Sequence, residues 1–173
     1  MKKGGIGGGN TITGINFEKE QDILTILDKT EGYSVKGSTI YFRGKEIAHS
    51  YRKYGLYRYL QSRNIDWKKY ISKKLLPDEA LYVVVNNTLF IIEMKRQGGA
   101  GSVDEKIQTC DFKVKQYKKL MAPLNIDVEY IYILSDWFRK PEYKDALDYI
   151  IEVGCSYYFN YLPLNKIGLP IPK

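Results

Sequence analysis

The chain has 173 residues, 44% hydrophobic and 27% charged, enough to bury one core without disulfides. No apolar run approaches the ~20 residues of a membrane span, and the glycine- and lysine-rich first nine residues lack the apolar stretch of a secretory signal. Lys and Arg outnumber Asp and Glu by 27 to 20, and the net charge of +7 favours a polyanionic partner.

In chain order, Gly4 to Thr13 is glycine-rich and reads as a mobile loop. An amphipathic helix is expected from Phe17 to about Lys29, with Asn16 as its N-cap and Phe17, Ile23, Leu24 and Leu27 on the apolar stripe. Three short β-prone runs follow, 33–36, 39–43 and 46–48, punctuated by Gly37-Ser38 and Gly44-Lys45, which reads as a small meander. Residues 51–76 are basic and aromatic and read as helical in pieces, interrupted at Gly55 and Asn64. The runs 81–85 and 89–93 are strongly β-prone, and Asn86-Asn87-Thr88 between them reads as a hairpin turn. After the glycine loop 97–101, Ser102 and Glu105 form a capping box for a helix that carries Val103, Ile107, Cys110, Val114, Tyr117 and Met121 to Pro123. A buried strand over 128–134, a helix over 142–153 ending at Gly154, and a final strand over 155–161 complete the pattern. The tail, with Pro163, Pro170 and Pro172, reads as extended. The expected fold class is α/β (α+β): one domain, residues 1–173, with a mixed central sheet flanked by helices and a small β-rich, basic insert.

The 16 tyrosines are the unusual count, and several alternate with basic residues, as in Tyr51-Arg52-Lys53-Tyr54 and Tyr57-Arg58-Tyr59. Such pairs suit phosphate contacts with stacking; the ordinary alternative is packing at the core boundary. Cys110 and Cys155 read as two reduced thiols of a cytoplasmic protein, and with the single His49 they show no zinc-ligand spacing. His49 itself reads as a loop or surface residue.

The chemistry gathers at the central hairpin. Glu93 and Lys95 are two apart on a strand and share a face, and the hairpin returns Asp78, just before its first strand, to their side. Two carboxylates can hold Mg²⁺, with Mn²⁺ as a substitute, and a metal ion acidifies bound water and neutralises charge on a phosphate. A lysine beside them can orient the water or stabilise the developing charge. Each residue has an ordinary alternative. Glu93 and Lys95 can be a surface ion pair, Asp78 a turn former after Pro77, and Ser102 and Glu105 helix caps alone.

Pro77-Asp78 followed by Glu93-Met94-Lys95 at a hairpin end resembles the PD-(D/E)xK nuclease superfamily. The run Gly8 to Glu18, with Asn10-Thr11, Thr13-Gly14 and Phe17-Glu18, and the run Ser102 to Lys106 resemble type II restriction endonucleases. The resemblance covers roughly residues 8–135. It implies a restriction-endonuclease-like core at 77–135, a DNA-recognition insert at 33–76, and a homodimer in a prokaryotic, phage or viral-host setting. It also implies Asp78 and Glu93 as metal ligands with the Met94 carbonyl, Lys95 as the catalytic lysine, and Glu18 as a further acidic metal or catalytic residue. Glu18 can equally serve the first turn of its helix. DNA contacts are expected from Arg43, Lys45, Arg52, Lys53, Arg58, Arg63, Gln97 and Ser102. The glycine loop lacks the Lys-Ser/Thr ending of a P-loop, so no nucleotide cofactor is expected.

The expected function is Mg²⁺-dependent cleavage of double-stranded DNA at a short specific site. Two alternatives stay open: a structure-selective nuclease of the Holliday-junction or repair type with the same core, and a non-catalytic basic DNA-binding module.

Overall fold

The computed structural model describes residues 13–17, 22–97 and 103–173. Its centre is a seven-stranded sheet in the order β2-β3-β4-β5-β6-β7-β8. The strands are β2 (Tyr33–Lys36), β3 (Thr39–Phe42), β4 (Lys45–Ser50), β5 (Glu79–Val83), β6 (Thr88–Lys95), β7 (Asp127–Leu134) and β8 (Ser156–Phe159). Neighbours from β2 to β6 are antiparallel, whereas β6-β7 and β7-β8 are parallel. Parallel neighbours need crossovers. These are supplied by α3 (Val103–Lys106) with α4 (Cys110–Met121), and by α5 (Lys144–Glu152).

Helices cover one face of this sheet, and a smaller layer covers the other. Leu89 and Ile91 of β6 and Tyr130, Tyr132 and Leu134 of β7 meet α4, α5 and α2 (Tyr54–Ser62). The alternate residues Phe90, Ile92, Ile131 and Ile133 face α1 (Ile23–Asp28) and a two-stranded sheet of β1 (Gly14–Asn16) and β9 (Tyr161–Pro163). Cover on both sides explains why 88–93 is buried at every position and why 89–92 reads as a continuous apolar run. The 33–48 meander, expected as an insert, continues this sheet, because β4 pairs with β5 at Ala48–Val83 and Ser50–Leu81.

Several local expectations change. Asn16 is not an N-cap: it lies in β1, opposite Tyr161. The first helix begins later, capped by Asp22, whose carboxylate accepts from the Thr25 N–H at 3.0 Å. Gly55 lies inside α2 and does not interrupt it, whereas Asn64, at φ +58°, follows its end. The expected helix from 102 to 121 is broken by a 3₁₀ turn at Ile107–Thr109, and Ser102 lies outside the described residues. The expected strand over 155–161 divides at Asn160, in the left-handed region at φ +54°, so its second half leaves the main sheet for β1. The tail is not wholly extended, since Leu164–Ile167 forms a 3₁₀ turn. Of the 16 tyrosines, only Tyr54 and Tyr70 are exposed, so packing accounts for most of them.

Gly14 holds the small sheet together. A Cβ there would lie 2.6 Å from the Leu162 carbonyl oxygen and against the Tyr161 ring. Gly14→Ala is therefore expected to part β1 from β9 at a cost of about 1–3 kcal/mol, read as a lower midpoint in thermal unfolding.

Candidate active site

The β5-β6 hairpin assembles the site. Glu79 pairs with Ile92, so Asp78, one residue earlier, extends the ladder beside Glu93 and Met94. The Asp78 carboxylate accepts the Met94 backbone N–H at 3.2 Å. A strand residue turns its N–H and C=O to the same lateral side, so the Met94 carbonyl also faces the Asp78 edge. Glu93 shares the helical face with Leu89 and Ile91 and is 6% exposed. An isolated carboxylate so buried is costly. Here two lysines converge on its Oε2: Lys95 Nζ at 2.8 Å and Lys113 Nζ at 3.5 Å.

Lys113 was not among the sequence-derived candidates. It stands on α4 next to Val114 and one turn from Cys110 and Tyr117, at the border of the buried stripe. That spacing is the signal that could have found it, since a cation beside an apolar stripe faces whatever the stripe covers.

Burial pushes the hydroxyls of Tyr117, Tyr130 and Tyr132 well above the ordinary tyrosine range, and the Glu93 charge adds to the effect. They are neutral at physiological pH. The fully buried Tyr117 hydroxyl has no hydrogen-bond partner among the described residues, and it lies within electrostatic reach of both Glu93 and Asp78. Buried hydroxyls without a partner are uncommon in folded proteins.

The chain matches no protein-family model, no curated protein and no solved structure.

The residues expected to touch DNA divide into separate groups. Arg52, Lys53 and Arg58 lie at the Asp78 end of the sheet. The Lys53 N–H donates to the Pro77 carbonyl at 3.0 Å, one residue before Asp78, and Arg52 lies 4.0 Å from Asp22. Arg58 and Arg63 are exposed, on α2 and at its C-cap. The Gln97 N–H donates to the Ser135 hydroxyl at 3.3 Å, just past Lys95. Arg43 and Lys45, by contrast, sit in and after the β3-β4 turn. That is the other end of β4 from Ser50, roughly 17 Å away at strand rise, so they are not gathered with Asp78 and Glu93. Glu18 lies outside the described residues.

The donor set suits a hard divalent cation. Asp78 and Glu93 offer carboxylate oxygens and Met94 a carbonyl, all hard oxygen donors. Among the described residues no group of three or more His, Cys, Asp or Glu side chains is arranged for a metal. The candidate site contributes two of them and would leave most positions to water, as Mg²⁺ prefers.

A second buried carboxylate lies on the opposite face. Glu79, 4% exposed, accepts from Ser50 Oγ at 2.8 Å and from the Ala80 N–H at 2.9 Å. Burial raises its pKa above the ordinary glutamate value, against the opposing hydrogen bonds from Ser50 and Ala80. A carboxyl raised on folding loses stability as pH climbs from the unfolded value through the folded one. Glu79→Gln keeps an acceptor oxygen and removes the charge. It is expected to raise the thermal midpoint at pH 7, by about 2–4 °C per kcal/mol gained, with the gain shrinking as pH falls through that window. No difference between the two proteins across that range would refute the assignment.

Proposed function

We propose that this protein is a metal-dependent endonuclease acting on double-stranded DNA. The observation that carries the reading is the meeting of Asp78, Glu93 and the Met94 carbonyl at the end of one hairpin, with Lys95 and Lys113 on the same carboxylate. Phosphodiester hydrolysis needs a water that loses a proton and positive charge around the scissile phosphate. Asp78, Glu93 and Met94 would hold Mg²⁺, or Mn²⁺ in its place, and the metal ion would acidify water and neutralise phosphate charge. The Lys95 ammonium, 2.8 Å from Glu93 Oε2, would orient that water and a phosphate oxygen. Lys113 adds a second positive charge from the helix side. Asp78 is held in register by the Met94 N–H, so the two carboxylates keep their spacing without substrate.

The finer reading is a type II restriction endonuclease of the PD-(D/E)xK kind that works as a homodimer on a short two-fold site. A two-fold DNA sequence is matched by a two-fold reader. The net charge of +7 and the exposed Arg52, Lys53, Arg58 and Arg63 support a DNA partner, with affinity that falls steeply as salt rises.

The test is incubation of the protein with phage DNA and Mg²⁺, followed by sequencing of the fragment ends. Discrete ends at one short sequence are expected. Cutting of branched DNA alone would replace this reading with a structure-selective nuclease. A DNA effect that persists in EDTA would leave only a binding module.

A further inference from the structure

A cavity of about 560 Å³ opens beside α2, within the size range of small-molecule sites. Its walls include the rings of Tyr54, Tyr57 and Trp67. The Lys74 ammonium lies against all three, 4.9 Å from the Tyr57 centroid, 5.1 Å from Trp67 and 5.6 Å from Tyr54. The floor is rigid. Tyr57 is buried, its hydroxyl donates to the Leu75 carbonyl at 2.9 Å and accepts the Leu75 N–H at 2.7 Å, and its ring meets Trp67 edge-on. Tyr54 is 55% exposed and stands at the mouth. Gln61 and Asn64 add amide groups, each able to donate and accept.

These walls discriminate between ligand classes. Flat aromatic faces with amide edges suit a heterocycle that stacks and hydrogen-bonds along its rim. Lys74 and Arg58 disfavour a cationic guest and suit an attached phosphate. The one acidic wall residue, Asp66, is engaged locally, accepting the Lys68 N–H at 3.2 Å. A base inside a duplex has its faces stacked and its edge paired, so only an unpaired base can enter.

The cavity is also tied to the candidate active site. Lys74 and Asp78 belong to one segment, pinned at Leu75 by Tyr57 and at Pro77 by the Lys53 N–H. Four residues span at most about 14 Å, about four base-pair rises.

We infer that this cavity binds an unpaired nucleobase of a DNA strand, with its phosphate at Lys74 and Arg58. The choice of DNA as the carrier rests on the nuclease reading; the base-and-phosphate chemistry rests on the cavity alone.

The experiment uses the full chain in EDTA, so that no strand is cut. Affinities are measured by fluorescence anisotropy for a fully paired duplex, the same duplex with one unpaired base, and competing deoxyadenosine monophosphate. Trp67 emission is followed in parallel. The duplex with the unpaired base is expected to bind about tenfold tighter than the paired one, the scale of one stacked base, and to quench Trp67. In Tyr54→Ala and in Gln61→Ala, both at exposed positions, that ratio is expected to fall toward unity with no change in thermal midpoint. Equal affinity for the two duplexes overturns the inference. So does a preference that survives both substitutions, or a monophosphate that binds as tightly as the strand. Cleavage of paired DNA in Mg²⁺ together with equal affinities would sink the base site and spare the nuclease. A preference for the unpaired base with no Mg²⁺-dependent cutting would do the reverse.

Discussion

Glu93→Gln and Lys95→Ala are each expected to reduce Mg²⁺-dependent DNA cleavage by about 10²–10⁴-fold, with DNA binding retained. The two substitutions remove different things. Glu93→Gln takes away a negative charge from the place where the proposed reaction needs a metal ion and, beside it, a phosphate. Binding of the DNA polyanion should then hold or strengthen while turnover fails. Lys95→Ala removes the ammonium 2.8 Å from Glu93 and leaves Lys113 at 3.5 Å as the remaining cation on that carboxylate. Asp78→Asn should resemble Glu93→Gln, because it still accepts the Met94 N–H but loses a full charge on the metal side. Plasmid nicking with matched anisotropy titrations separates these effects. Wild-type cleavage rates in Glu93→Gln would end the catalytic assignment, whatever happens to affinity.

The second large effect is on stability. Glu93 is almost fully buried and is compensated by two lysines that are themselves mostly covered, with side-chain exposures of 18% and 24%. Removing both as Lys95→Met/Lys113→Met leaves a buried charge without a cation. The expected cost is about 3–5 kcal/mol, a drop in midpoint of about 6–20 °C for a chain of this size. Adding Glu93→Gln to the double variant should recover most of the loss, since the uncompensated charge goes with it. Mg²⁺ should recover it as well, because a divalent cation held by Asp78 and Glu93 replaces the missing positive charge and stabilises the folded state by mass action. A double variant whose midpoint ignores Mg²⁺ would show that the carboxylates do not hold the ion. One that melts like the wild type would show that Glu93 needs no compensation.

The two halves of the site differ in how far they can be read from the chain. Asp78, Glu93 and Lys95 are legible because a two-stranded hairpin is a local object. The β-prone runs and the asparagine turn bring the start of one strand to the end of the next, and the two-residue period puts Glu93 and Lys95 on one face. Lys113 is 20 residues from Glu93 and reaches it only because α4 crosses back over the sheet to make β7 parallel to β6. Nothing local encodes that angle. Arg43 and Lys45 illustrate the opposite case: a basic turn sits on the same sheet as the carboxylates but at its far end, and composition cannot distinguish the two ends of a strand.

The amino-acid sequence by itself determined most of the element types, the charge and the carboxylate-lysine hairpin, because hydrophobic period, turn residues and net charge are properties of short windows. It also suggested a helix starting at Phe17, whereas Phe17 directly follows β1 and the helix Ile23–Asp28 is capped by Asp22, and a last strand that the structure splits at Asn160. In both places neighbours remote in sequence decide. Gly14–Asn16 becomes a strand because Tyr161–Pro163 lies beside it, and the left-handed turn at Asn160 redirects the chain to meet it. Only the tertiary structure placed the meander on the main sheet, Lys113 over Glu93, and Lys74 among three rings. Each depends on long-range contacts, whose free energy comes from burying whole faces and not from any local pattern.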